Sequence, residues 1–230
     1  MFIIATLALV VFVFAAGTYF YKMQNPSKVT EFTQERPELV STQIDMKPSE
    51  QTNTLVRPHS PIIGDENAPV TIVEFFDPSC ESCRAFYPII EAIHKKYPTE
   101  VRVILRYAAF HQGSDEAVRI LEAAKVQDLF VPVLEKLLER QPEWAIHGGP
   151  DIDKAWNIAG EAGLDLVQGR KDAQNPAITE ILSIDNADIQ ANNVQGTPTF
   201  FINGSRLQSF GQQQLIDAVD SAVTNLKSDR

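Results

Sequence analysis

Cysteine is nearly absent from this chain: Cys80 and Cys83 are the only two in 230 residues. That scarcity excludes a disulfide-stapled scaffold and a zinc site built from four thiolates. Positive charge is also short, with 20 Lys and Arg against 30 Asp and Glu. The net charge of -10 argues against a nucleic-acid partner and against adhesion to anionic lipid. Glycine patterns of the phosphate-loop or dinucleotide type are missing, as are internal repeats.

Charge of either sign is missing from Phe2 to Tyr21, where Thr6 and Thr18 are the only clearly hydrophilic side chains. A run of that length spans the hydrocarbon core as a helix. Nothing basic precedes it, and Ala15-Ala16-Gly17 makes a poor cleavage site, so residues 1–21 read as a retained transmembrane anchor rather than a cleaved signal. Tyr19, Phe20, Tyr21 and Lys22 form an interfacial collar. Lys22 and Lys28 follow the span, which by charge alone weakly favours a cytoplasmic C-terminal side. Residues 22–61 carry five prolines among Ser, Thr, Gln and Glu and few aromatics, the composition of a flexible linker. Residues 62–230 remain for one folded domain.

Within that domain, Val70 to Phe76 reads as a buried central strand. A helix follows from Cys83, with Phe86, Ile89, Ile90 and Ile93 at helical spacing and Pro88 as a kink point. Val101 to Tyr107 is a second strand, parallel to the first because a helix crosses over between them. From Ser114, read as a helix cap, to Val194 the pattern is helical throughout. A strand, the Asn203-Gly204 turn, a second strand and a last amphipathic helix close the chain. The class is α/β, a sheet interrupted by a helical insertion over 114–194.

Cys80 falls where the first strand gives way to the helix, and the helix N-terminus stabilises a thiolate there. Cys83 lies one turn further in, within disulfide reach and more shielded. This makes Cys80 the attacking nucleophile and Cys83 the resolving thiol. Two rival readings are a pair of metal ligands and inert core residues. The first lacks a second paired cluster, since His59, His94, His111 and His147 are scattered; the second conflicts with polar neighbours from Asp77 to Arg84.

The segments APVTIVEFFDPSCESC and GTPTFFING, with the helical insertion between them, resemble the DsbA-like branch of the thioredoxin superfamily across about residues 62–226. The resemblance implies a thioredoxin-like fold with an inserted helical domain, and thiol–disulfide exchange with protein substrates outside the cytoplasm. It implies a cis-proline loop at Thr197-Pro198 that binds substrate, where Pro198 alone would read as an ordinary strand-start proline. It also implies a buried acid at Glu74, serving as proton acceptor for Cys83; alternation with Ile72 and Phe76 independently favours burial over a solvated face. The orientation is revised with it: an anchor in the bacterial inner membrane through residues 2–21, a periplasmic or extracytoplasmic domain and a membrane redox partner.

The sequence departs from the family's strong oxidant between the cysteines, where Glu81-Ser82 stands in place of Pro-His. A negative charge there opposes thiolate formation, so Glu81 and Ser82 are tuning positions. His111 could lie near the dithiol, although a lone loop histidine reads first as a surface residue; His59 and His147 read as solvated, Trp144 and Trp156 as packing. The reading is a membrane-anchored oxidoreductase with no cofactor beyond the redox-active Cys80–Cys83 disulfide and no metal. The alternatives are a reductase or isomerase kept reduced by a membrane partner, and a copper(I)-binding thiol protein of metal tolerance.

Overall fold

A computed structural model describes residues 54–228. The expected anchor, residues 1–21, and linker residues 22–53 lie outside the described residues. Among the described residues no helix is long and apolar enough to cross a membrane.

The strands are β1 (Ile62–Ile63), β2 (Val70–Phe76), β3 (Val101–Tyr107), β4 (Thr199–Ile202) and β5 (Ser205–Arg206). They form one sheet in the order β1-β3-β2-β4-β5. The helix α1 (Glu81–Lys96) connects β2 to β3, and these two strands pair in parallel, as a crossover requires. It runs through Pro88 without ending. Between β3 and β4 lie α2 (Ser114–Val126), α3 (Phe130–Glu139), α4 (Gln141–Trp144), α5 (Ile152–Glu161), α6 (Leu166–Asp172) and α7 (Pro176–Ala191). The β4–β5 hairpin turns at Asn203 and Gly204, both at positive φ, and α8 (Gln212–Ser228) follows. The two-residue strand β1, antiparallel to β3, is too short to leave a pattern in the sequence.

Alternation along β2 sends its side chains into two cores. Ile72 and Phe76 join the larger one with α1, α8 and the helical block; Val73 and Phe75 join Ile104, Phe201 and Ile189 on the other face. Trp144 and Trp156 are buried in the larger core, and the Trp144 indole donates to the Leu137 carbonyl at 2.9 Å.

Residues 54–61 correct the linker boundary. Leu55 is buried in the smaller core. Arg57 places its guanidinium fork on both oxygens of Asp188, at 2.7 and 2.8 Å. His59 is not solvated: its Nε2 lies 2.7 Å from Asp185 Oδ1. Both aspartates of α7 also hold Arg106, a wholly buried guanidinium on β3, at 2.6 and 2.7 Å. Its Nη1 donates to the Thr54 carbonyl at 2.6 Å. A buried guanidinium is tolerable only when paired and hydrogen-bonded on every side, and the segment before β1 completes that shell. Polar, proline-bearing composition suggested a linker, but these polar groups bond the fold.

A chain beginning at residue 62 should therefore unfold more easily than one beginning at 54, by about 4 kcal/mol, through the loss of Leu55 burial and of the Arg57 fork. Urea midpoints of the two chains would show it, and equal midpoints would restore the linker reading.

Candidate active site

The carboxyl end of β2 releases the chain into Asp77-Pro78-Ser79, and Cys80 then caps α1 with extended backbone angles. The first amides of a helix have no partners within it, so those of Ser82 and Cys83 are free for the Cys80 sulfur. Both cysteines are free thiols and buried, Cys80 at 6% exposure and Cys83 at 1%. Their environments drive them apart. A hydrogen bond from the Cys83 thiol lowers the Cys80 thiol to a pKa of about 5, against the opposing pull of burial; Thr197 and the two amides add to the lowering. Burial, followed by the bond to Cys80 and the charges of Glu74 and Cys80, pushes Cys83 up. One sulfur is a thiolate at neutral pH and the other holds its proton.

Glu74 sits at the centre of β2, opposite Leu105 and Phe200 on the neighbouring strands, and is 1% exposed. Its Oε1 has no hydrogen-bond partner among the described residues. Burial, and then the Cys80 charge, raise its pKa well above the carboxylate range. A neutral carboxyl under the dithiol can give a proton to a nascent Cys83 thiolate, and the carboxylate so formed can take one back from the thiol.

The Thr197-Pro198 peptide bond is cis. The Cys80 thiol, when protonated, donates to the Thr197 carbonyl at 3.3 Å. Residues 117 positions apart thus meet at the sulfur. Glu81 and Ser82, the two residues between the cysteines, are exposed, and Glu81 lies 3.6 Å from His147 Nδ1.

Two residues, Asp77 and Gln141, escaped the sequence reading, and two others, His111 and Ser114, turn out to be bound differently from their first reading. Asp77 is fully buried, and its carboxylate accepts from the backbone of Ser79, Phe110 and His111, from the Ser114 hydroxyl at 2.5 Å and from His111 Nδ1 at 2.7 Å. Its own amide points at the Cys83 sulfur, 3.5 Å away. Gln141, at the start of α4 and 1% exposed, donates to the carbonyls of Pro78 at 2.8 Å and Cys80 at 3.0 Å, bracing the loop from the helical block. His111 is no free surface residue, being tied to Asp77. Ser114 does not cap α2; Gly113 does, because the Asp77 carboxylate and Ser79 claim the Ser114 hydroxyl. An aspartate immediately past the end of a buried strand was the one available signal. Among the described residues no group of three or more His, Cys, Asp or Glu could hold a metal ion.

Comparison with known proteins identifies the family. A family model described as thioredoxin matches residues 57–221. The Na(+)/H(+) antiporter NhaA of Herminiimonas arsenicoxydans is 29% identical over 158 residues, covering 69% of this chain and 24% of that protein. The chain thus spans about a quarter of the length of the antiporters it matches. Disulfide bond formation protein D of Bacillus subtilis is 29% identical over 166 residues, covering 65% of this chain and 70% of that one. Among solved structures, a thioredoxin-like oxidoreductase from Silicibacter pomeroyi DSS-3 superposes with a TM-score of 0.64 at 30% identity, over 73% of this chain and 94% of that one.

Alkylation of the reduced protein should rise as pH climbs through about 5, rather than through the free-thiol value near ~8.5. The folded pKa of Cys80 lies below its unfolded value. Its contribution to stability is therefore complete above the unfolded pKa and is lost as pH falls through the folded one. Relative to Cys80→Ser, the reduced protein should gain stability between about pH 5 and pH ~8.5, readable in denaturant melts across that range.

Proposed function

The chain belongs to the thioredoxin family, in its DsbA-like branch, and from that premise we propose that it is a membrane-anchored enzyme exchanging disulfides with extracytoplasmic proteins. The observation that carries the reading is the unequal setting of the two thiols: Cys80 at the helix N-terminus, 3.3 Å from the Thr197 carbonyl before a cis proline, and Cys83 1% exposed near the buried Glu74.

In the oxidising direction a substrate thiolate attacks the Cys80 sulfur of the Cys80–Cys83 disulfide. The S–S bond breaks, its electron pair leaves on Cys83, and the Glu74 carboxyl supplies the proton. The mixed disulfide joins substrate to Cys80. A second substrate thiolate then attacks the substrate sulfur and expels the Cys80 thiolate, so the substrate gains a disulfide and the enzyme is left as the dithiol. A thiol of low pKa is the better leaving group, and stabilising the reduced form makes the disulfide easier to reduce; the low Cys80 pKa therefore favours this direction. In the reverse direction Cys80 attacks a substrate disulfide, Glu74 takes the Cys83 proton, and Cys83 resolves the mixed species.

Substrate approaches as an extended segment along Thr197 and Pro198, where an edge of backbone is offered beside the sulfur. Phe110 and Ile146, both exposed, sit next to His111 and His147 on loops bordering the site. Exposed Phe210 stacks on Phe86 of α1, 4.8 Å between centroids. Apolar side chains around a reactive sulfur suit unfolded chains that still display their cores. The uncharged run over residues 2–21 supports anchorage in an inner membrane, with a membrane redox partner to reoxidise the dithiol.

Cys83→Ala should accumulate substrate mixed disulfides on Cys80 that disappear on reduction, and Cys80→Ala should accumulate none; equal trapping by both would reverse the roles. Glu74→Gln, which keeps shape but not the proton, should slow turnover by roughly a hundredfold while leaving the Cys80 thiolate formed. Labelling single-cysteine variants in whole cells with an impermeant reagent should mark the folded domain, and marking only after lysis would place it in the cytoplasm.

A further inference from the structure

The dipeptide between the cysteines offers the Cys80 thiolate no cation; Glu81 offers it an anion. A histidine is nevertheless held nearby on a different element, through Asp77, whose carbonyl accepts from the Cys80 amide at 3.1 Å and whose own amide faces the Cys83 sulfur at 3.5 Å. The loop between β3 and α2 carries His111 over Asp77, with Nδ1 2.7 Å from Asp77 Oδ2. The Asp77 carboxylate is fixed in turn by four further donors, including the backbone amide of His111 itself, so the ring is held at both ends of its residue. A buried carboxylate on Nδ1 fixes the tautomer and favours the doubly protonated ring. The His111 side chain remains 35% exposed, so it can exchange protons with solvent.

We propose that His111, seated on Asp77, is a positioning residue whose imidazolium supplies from the β3–α2 loop the positive charge that the Glu81-Ser82 dipeptide withholds from Cys80. This rests on the reading of Cys80 as the attacking thiol. The groups facing the ring come from every element around it: Asp77 from the end of β2, Cys80 and Glu81 from the start of α1, and His147 from the α4–α5 loop, 6.1 Å away between ring centroids. Burial opposes protonation of His111, but the hydrogen bond and charge of Asp77, followed by the charges of Cys80 and Glu81, outweigh it and raise its pKa. The attraction between two charges is mutual, so an imidazolium at His111 favours the Cys80 thiolate in turn, as a smaller influence than the Cys83 thiol, Thr197 and the helix amides. His147, 69% exposed and beside Glu81, is screened by solvent and contributes less.

The arrangement makes Cys80 reactivity depend on pH in two steps. The lower step is Cys80 ionising beside a charged His111. The upper step is His111 losing its proton, after which the thiolate is no longer restrained by a cation and becomes a stronger nucleophile but a poorer leaving group. Site acidity is thus set partly by a residue 31 positions beyond the cysteine it serves, since 111 - 80 = 31.

The test is the pH profile of Cys80 alkylation in the reduced full chain, for wild type, His111→Gln and His111→Lys. Gln keeps a donor for Asp77 and removes the charge; Lys keeps the charge. His111→Gln should alkylate about tenfold more slowly at pH 5 and show one step instead of two, while His111→Lys should stay within about twofold of wild type there. A His111→Gln profile matching wild type would overturn the proposal. So would a His111→Lys profile as shifted as that of His111→Gln, since the role would then be structural. If His111→Gln does not fold, the His111→Lys profile alone decides on the same criterion. Disulfide exchange is scored separately: if wild type alkylates as described but exchanges nothing, the oxidoreductase reading fails and the role of His111 stands.

Discussion

The Cys83 thiol donates its hydrogen to the Cys80 sulfur, and the rest of the site is arranged around that bond. Two chemically identical side chains three residues apart would otherwise titrate together. The helix separates them: position 80 meets unpaired amides and the loop of Thr197, while position 83 faces the core with Glu74 beneath it. A single proton therefore has a defined home, and the direction of attack follows from where it sits.

Each half of the domain contributes to holding that geometry. The sheet supplies Glu74 from β2 and the Thr197-Pro198 peptide from the entry to β4. The helical block supplies Gln141, which fixes two carbonyls of the cysteine loop, and Ser114, which shares Asp77 with His111. Asp77 is the joint between them. With its five donors satisfied it carries a buried charge without a counterion on its own strand, and it locks the β3–α2 loop against the thiols. A second joint lies on the opposite face of the sheet, where Asp185 and Asp188 tie Arg106, Arg57 and His59 together. Residues 54–61, just before β1, are thereby part of the domain.

What the sequence made legible was local. The two cysteines at one helical turn, the apolar alternation that turns Glu74 inward, the crossover between β2 and β3 and the Asn203-Gly204 turn all depend on neighbours within a few residues. The family resemblance added Thr197-Pro198, which no local pattern distinguishes from a strand-start proline. The misreadings share one cause, which is pairing at long range. His111 meets an aspartate 34 residues away, Gln141 meets carbonyls 61 and 63 residues away, and Arg57 meets Asp188 across 131. A histidine, a glutamine or a proline-flanked arginine looks solvated until its partner is known. Ser114 was misread for the same reason: its hydroxyl had a better acceptor in Asp77 than in its own helix.

The unequal proton is the central claim, and the two sulfurs can be followed separately. Selective carbon-13 labelling at the β-carbons of both cysteines, with NMR titration of the reduced protein, reports each thiol's ionisation. Cys80 should titrate with a midpoint of about 5, and Cys83 should show no ionisation over the range in which the protein stays folded. Two curves with similar midpoints near the free-thiol value of about 8.5 would contradict the account, because neither sulfur would then be marked as the attacker.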